Sequence, residues 1–342
     1  MHPTAPDHPS RCARHGAIMS ARSTSTPRRV ADEALRSVVE LACLAPSIHN
    51  TQPWTWRLRD GLLELHADGT RRLPAADPTG RSLVISCGAA LHHARVAARA
   101  LGWDPDVERL PEAEGSSLLA TLRLEPATPS PTAATDLRCL EERHTDRRRF
   151  TSWPVPGERL ERLAEAARGQ GAAAVALLDV TARFAVELLT SRAHGVQARD
   201  PSLREEVAAW LDRGRRDGLA SQLLPVEDDR GSRFPGGALE DSDQDLDGTD
   251  GLIVLAGASD DPGAWLLTGE GLSALWLDAT RGGLSVVPLS QVVEVDETRA
   301  ALQHEVLRTG AVPHLLVRVG WQPLSRSEIP HTPRRTLAEV LG

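Results

Sequence analysis

Apolar residues in this chain switch between a helical and a strand spacing, and the order of the switches is what most limits its fold. From Asp32 the series Leu35, Val38, Val39, Ala42 has the helical period, and Pro46 closes it because a proline ring disfavours helix in the residue before it. Trp54–Arg59 and Leu62–His66 then alternate around Asp60-Gly61, a dipeptide suited to the positive φ of a tight hairpin turn. Ser86–Leu101 reads as an alanine-rich helix ended by Gly102, and Leu118–Leu124 as a strand. Beyond a Pro/Thr/Ala stretch, Pro126–Thr135, the pattern predicts a helix over Gly157–Arg168, a strand over Val175–Val180 and a helix over Thr181–Ala198. Another helix opens at Asp200-Pro201, where Asp caps and Pro fits the first turn. Residues 219–250 are irregular. Strand Leu252–Ala256, helix Gly269–Arg281, strand Leu284–Val287, helix Thr298–Arg308, strand His314–Gly320 and a short terminal helix follow. Hairpins mixed with helices, without a steady βαβ rhythm, predict an α+β fold rather than a doubly wound parallel sheet. No short-period repeat is visible.

A chain of 342 residues suits one large domain or about two of roughly 150 residues. The Pro/Thr/Ala stretch divides it into 29–134 and 135–342, and residues 1–28, which lack periodicity, read as a disordered tail. With 47 acidic against 39 basic side chains the formal charge is −8, so no global positive field draws in nucleic acid or anionic membrane. Any anion must be held locally. The apolar stretches Gly251–Ala258 and His314–Val319 fall short of the ~20 residues that span a bilayer, and no charged-then-apolar leader opens the chain, so a cytoplasmic protein is expected. Cys12, Cys43, Cys87 and Cys139 fit neither a C-x-x-C pair nor a zinc knuckle and read as small buried hydrophobes.

Four segments could carry chemistry. Pro46-Ser47-Ile48-His49-Asn50-Thr51-Gln52-Pro53-Trp54 offers backbone amides and short polar side chains suited to the edge of a planar polar ring, or is simply a helix stop before a strand. In Arg143-His144-Thr145-Asp146-Arg147-Arg148-Arg149-Phe150, an extended chain would put Arg143, Thr145 and Arg147 on one side. That row is a phosphate clamp, or a solvated basic turn neutralised by Glu141, Glu142 and Asp146. Thr332-Pro333-Arg334-Arg335 is a second basic element or plain surface charge. In Gly282–Gln291 a glycine pair ends a helix and Pro288 ends a strand, freeing backbone groups near Leu289. Two other features point nowhere. Asp243-x-Asp245-x-Asp247-Gly248 opens like a calcium loop, but Val254 stands where a bidentate Glu is required. His92 and His93, adjacent on a helix, should face different ways.

Taken in order, these segments resemble the FMN-dependent nitroreductase superfamily, specifically its Acg-type branch of long, internally duplicated chains, from about Asp32 to the C-terminus. Arg143-x-Thr145-x-Arg147 resembles the family's Arg-x-Ser-x-Arg grip on the FMN phosphate. Pro46-Ser47-Ile48-x-Asn50 resembles the loop that reaches the flavin from the partner subunit in homodimeric members. Pro288, Leu289 and Ser290 fall in the stretch whose backbone meets the flavin ring, and Arg334-Arg335 resembles the terminal basic pair on the phosphate side. The resemblance implies a nitroreductase-like fold of two pseudo-repeat halves mimicking the family homodimer in a single chain. It implies an oxidoreductase moving hydride from NAD(P)H through FMN to a small electrophile such as a nitro compound or quinone. The alternative is a non-catalytic FMN binder that sequesters flavin or acts as a sensor, with residues 219–250 as a lid. Nothing before Asp32 supplies a second clamp, since Arg22-x-Thr24 lacks its second Arg, and no second Pro-Ser-x-x-Asn follows Phe150. One complete FMN site is therefore expected, with its symmetry mate empty.

Overall fold

The computed structural model describes residues 27–59, 61–112, 115–214, 216–224, 250–322 and 331–342. Residues 1–26 of the expected tail, the acidic residues 243–248 and most of the expected lid lie outside them, as does Arg22-x-Thr24, whereas residues 27 and 28, expected in the tail, open α1. In chain order the elements are α1 (Pro27–Ala42), β1 (Trp54–Arg59), β2 (Leu62–Ala67), α2 (Arg81–Ala100), β3 (Trp103–Arg109), β4 (Leu118–Pro126) and α3 (Ala133–Glu142). Then come α4 (Gly157–Arg168), β5 (Ala173–Ala176), α5 (Val180–Gln197), α6 (Pro201–Trp210), β6 (Gly251–Gly257), α7 (Pro262–Arg281) and β7 (Ser285–Leu289). The chain continues through α8 (Gln291–Glu294), α9 (Asp296–Ala301), a π-helical turn (Leu302–Leu307) and β8 (Val312–Gly320) to α10 (Leu337–Val340).

The strands form two four-stranded antiparallel sheets with the same plan, β1-β2-β4-β3 and β5-β6-β8-β7. In each, a long helix joins the second strand to the third: α2 in one, α7 in the other. This is the α+β fold that the order of periods predicts, and it is built twice. The duplication escapes a search for short repeats because it survives in topology and in a few glycines. Both α2 and α7 have 20 residues, Gly88 and Gly269 hold the same place in each, and Gly102 and Gly283 follow at φ 85° and 73°. Each pair stands 181 positions apart. A Cβ on Gly88 would run into the Leu266 carbonyl and one on Gly269 into the Ile85 carbonyl, so only glycine permits this close crossing of the two helices. One apolar core, including Leu35, Trp54, Leu91, Leu272, Trp276 and Val317, runs through both halves.

Several element limits differ from the sequence expectation for local reasons. α1 starts at Pro27, where the missing N–H of proline costs nothing. The Asp77 carboxylate accepts from the backbone N of Ser82 (3.1 Å) and Leu83 (2.9 Å), starting α2 five residues before Ser86. Asp261 caps α7 through Ala264 N, and Asp179 caps α5 through Ala182 N, which ends β5 early. β3 was not foreseen. Its exposed Asp104, Asp106 and Glu108 suit an edge strand, which needs little apolar surface. Pro288, expected to end a strand, lies inside β7 opposite Val317, because β7 is also an edge strand and can do without one N–H.

Candidate cofactor site

The site begins with the loop between α1 and β1. His49, Asn50 and Gln52 adopt left-handed backbone conformations, φ 45°, 52° and 46°, each costing on the order of 1–3 kcal/mol and persisting only where the surroundings impose it. They do. Ser47 Oγ accepts from Gln52 N (2.9 Å), and Ile48 N donates to Ser86 Oγ (3.2 Å). Asn50 Nδ2 donates to the Gly218 and Pro333 carbonyls, 3.0 Å each, and Gln52 Nε2 to the Arg216 carbonyl, 2.9 Å. Arg335 Nη1 donates to the carbonyls of Gln52 and Trp54, 3.1 Å each. Trp210 of α6 packs with Leu73 and Ala76, and Ile48 rests against them.

Beside this loop lies a cleft of about 1000 Å³, counted out to its open mouth. Pro46, Ser47, Ile48 and His49 form one wall with Ser82, Ile85 and Ser86 of α2. Leu272 and Trp276 of α7, residues 287–291, Leu315 and Arg318 of β8, and Thr145 and Arg147 of the segment after α3 line the rest. Of the residues the sequence singles out, Pro46, Ser47, Ile48, Thr145, Arg147, Pro288, Leu289 and Ser290 therefore come together on one surface. Asn50, Arg143, Arg334 and Arg335 do not line it. Arg143 forms the C-cap of α3, so the alternating row starts only after it. Asn50, Arg334 and Arg335 are turned toward the backbone of the loop and of its neighbours. Asp146 pairs with Arg148 (2.7 Å). Burial works to raise its pKa, but the Arg148 hydrogen bonds bring it below the usual carboxylate value.

Against the cleft lining sit two arginines with buried N–H groups. Arg143 is buried with its guanidinium 4.6 Å from the Trp276 ring, on the lining residue itself. Its Nη2 and the Nη2 of Arg334 both donate to the Leu44 carbonyl, at 3.0 and 3.1 Å. Arg143 Nε and Nη1 and Arg334 Nε are buried without a partner, and among the described residues neither guanidinium meets a carboxylate. Burial, then repulsion from Arg334, pulls the Arg143 pKa well down, and burial draws Arg334 to about 10. A guanidinium keeps its proton in proteins, so this penalty is borne as strain on the charge. His93 lies beside them, wholly buried and held neutral by burial and by Arg143. It does not diverge from His92 as the sequence suggests. The close crossing of α2 and α7 lets both Nδ1 atoms reach Ser273 Oγ, at 2.7 and 2.8 Å.

The duplicated plan supplies a control. By the equivalence of α2 with α7 and of β3 with β7, Trp276 corresponds to Arg95 and Ser290 to Arg109. There the fully buried Glu270 accepts from Arg95 and from both Nε (2.6 Å) and Nη2 (2.9 Å) of Arg109. An internal carboxylate fills that place.

Comparison with known proteins decides the family. A Mycobacterium tuberculosis protein named as a candidate NAD(P)H nitroreductase is 37% identical over 317 residues, covering 90% of this chain and 91% of its own length. Acg of the same organism, also named as a candidate NAD(P)H nitroreductase, is 32% identical over 327 residues, 91% of this chain and 96% of its own. This chain belongs to the nitroreductase superfamily, in its Acg-type branch. No family model matches it. A solved Bacteroides fragilis nitroreductase with bound FMN aligns over 58% of this chain at 16% identity and a TM-score of 0.38. Among the described residues no helix is long and apolar enough to cross a membrane.

Sequence reasoning missed several lining residues of this nitroreductase-superfamily cleft. Ser82 and Ile85 fell before the expected start of α2, and Trp276 looks like core in an apolar helix. Arg318 carried a readable signal, a lone charge in the apolar run His314–Val319. It is buried, and its Nε lies 2.6 Å from the Asp250 carboxylate.

Proposed function

We propose that this chain binds one FMN in the cleft and passes hydride from NAD(P)H to a small electrophile, a nitro compound or a quinone. When bound, FMN supplies the redox chemistry by accepting and returning two electrons. The observation that carries the reading is that Thr145 and Arg147 meet the loop at Pro46–Ile48 and residues 288–290 on one cleft, with Arg143 and Arg334 beside its lining, their spare buried N–H groups meeting no carboxylate among the described residues. A dianionic phosphate held at Thr145 and Arg147 would balance the positive charge of Arg143 and Arg334 across a low-dielectric setting. Thr145 and Arg147 add a hydroxyl and a further cation on the lining. The loop at Pro46–Ile48 and the residues Pro288, Leu289 and Ser290 would hold opposite edges of the ring, and Asn50 and Arg335 serve by fixing that loop. Leu272, Trp276 and Leu315 exclude water from the ring, and no side chain is needed as an acid or base.

Purified protein should be yellow, with one FMN per chain, and NADPH or NADH should bleach it until a nitro compound restores the colour. A stoichiometry of two, or protein that takes up no FMN, overturns the reading. The sequestering alternative draws on one observation: the segment carrying Trp210, Arg216 and Gly218 is bonded onto the loop. It becomes the better reading if dithionite bleaches the bound flavin and neither nicotinamide does.

A further inference from the structure

Arg318 is buried in the middle of an apolar strand, where a hydrocarbon side chain would serve the core at least as well. Its partner Asp250, just before β6, is equally buried, and the Nε to Oδ2 distance is 2.6 Å. The guanidinium lies 4.4 Å from the Phe150 ring, and Arg183 donates to the Asp250 backbone carbonyl, so both members of the pair are held in place. Arg318 also lines the cleft. The first sheet shows that strand register alone does not require this. Arg123 stands opposite Asp106 as Arg318 stands opposite Val287, yet Arg123 is exposed to solvent. Of these two equivalent arginines, the one whose strand borders the cleft is held in a buried, oriented ion pair.

We propose that the Arg318–Asp250 pair sets the reduction potential of the cofactor held in the cleft, Arg318 raising it and Asp250 limiting the rise. The inference rests on the reading of that cleft as an FMN site. Two-electron reduction with uptake of one proton adds negative charge to the bound ring. A fixed cation on the wall favours that charge, and in a desolvated cleft the interaction is stronger than in water. Asp250 offsets part of the field. Removing the cation and removing its counter-ion must therefore act in opposite directions, whereas two substitutions that merely loosen the fold would act in the same direction.

The test is the midpoint potential of holoprotein, read against a reference dye during slow reduction, for wild type, Arg318→Met, Asp250→Asn and the double variant. Arg318→Met should lower the preference for reduced over oxidised FMN about tenfold, which is about 30 mV downward for a two-electron couple. Asp250→Asn should raise it by a similar factor, and the double variant should return to within about threefold of wild type. Should Arg318→Met fail to fold, Asp250→Asn and Arg318→Lys decide: an upward shift in the first with little change in the second supports the inference. Shifts of the same sign, or no shift in Asp250→Asn with FMN retained, overturn it. If wild type takes up no FMN, the cofactor reading falls and this inference falls with it; if FMN binds and the opposed shifts are absent, only this inference falls.

Discussion

Two places in this protein gather a pair of arginines, and they are treated in opposite ways. Arg95 and Arg109 share the buried carboxylate of Glu270, whereas Arg143 and Arg334 share only the carbonyl oxygen of Leu44. The two places lie in related positions of a duplicated fold, so the contrast separates what the architecture needs from what a ligand needs. Where the chain encloses its own anion the site is complete, and a substitution there is paid for in stability. Where it leaves the anion out, the two guanidiniums meet no carboxylate among the described residues, which suits the phosphate proposed for the cleft.

Removing Glu270 should have the largest effect. Glu270→Ala strands two cations that lose their only carboxylate among the described residues, and unfolding in urea should show a loss of about 3–5 kcal/mol with FMN stoichiometry unchanged. If the loss stays under about 1 kcal/mol, the two arginines simply turn to solvent and the contrast fails. At the other pair the sign reverses. Arg143→Met should weaken FMN by about 1.5–3 kcal/mol, roughly ten- to a hundredfold in Kd by flavin fluorescence titration, while the flavin-free protein melts no lower than wild type. A flavin-free protein clearly destabilised by that change would mean that Arg143 serves the fold.

The equivalence itself can be probed at the helix crossing. Gly88→Ala and Gly269→Ala each push a methyl into a facing backbone carbonyl and should cost similar amounts, about 1–3 kcal/mol, in the same urea experiment. Markedly unequal losses would break the pseudo-two-fold relation. Acid acts on the same helix pair. Burial, helped by Arg95 and Arg99, lowers the His92 pKa from 6.5 to about 3, and burial, opposed by Asp260, lowers His314 to about 4. The unfolded chain then takes up protons first, so these histidines contribute stability that is fully present above pH 6.5 and is lost as pH falls toward 4 and 3. Urea midpoints should fall over that window, and His92→Gln should flatten part of the slope; a slope unchanged in that variant would remove His92 from the account.

The α+β class and the family were legible because both rest on local signals. The hairpin turn at Asp60-Gly61, the period of Leu35–Ala42 and the short motifs around Ser47 and Thr145 each act within a few residues. β3 was illegible for the opposite reason: an edge strand of exposed acids carries no apolar period, and only its ladder to β4 makes it a strand. The start of α2 was missed because the side chain of Asp77 caps it from outside the helix.

By itself the sequence determined which residues could serve a phosphate and a planar ring, since that depends on side-chain chemistry and nearest neighbours. Tertiary structure decided which of them face the cleft. Thr145 and Arg147 line it, whereas Arg143 passes behind Trp276 and Asn50 and Arg335 brace the loop, because the end of α3 and the left-handed turn at His49–Gln52 reorient side chains that alternation would have aligned. It also decided where charge is balanced. No spacing along the chain links Glu270 to Arg95 and Arg109, or Arg318 to Asp250; those partnerships exist because two glycines let α2 and α7 approach and because β6 and β8 lie side by side in one sheet.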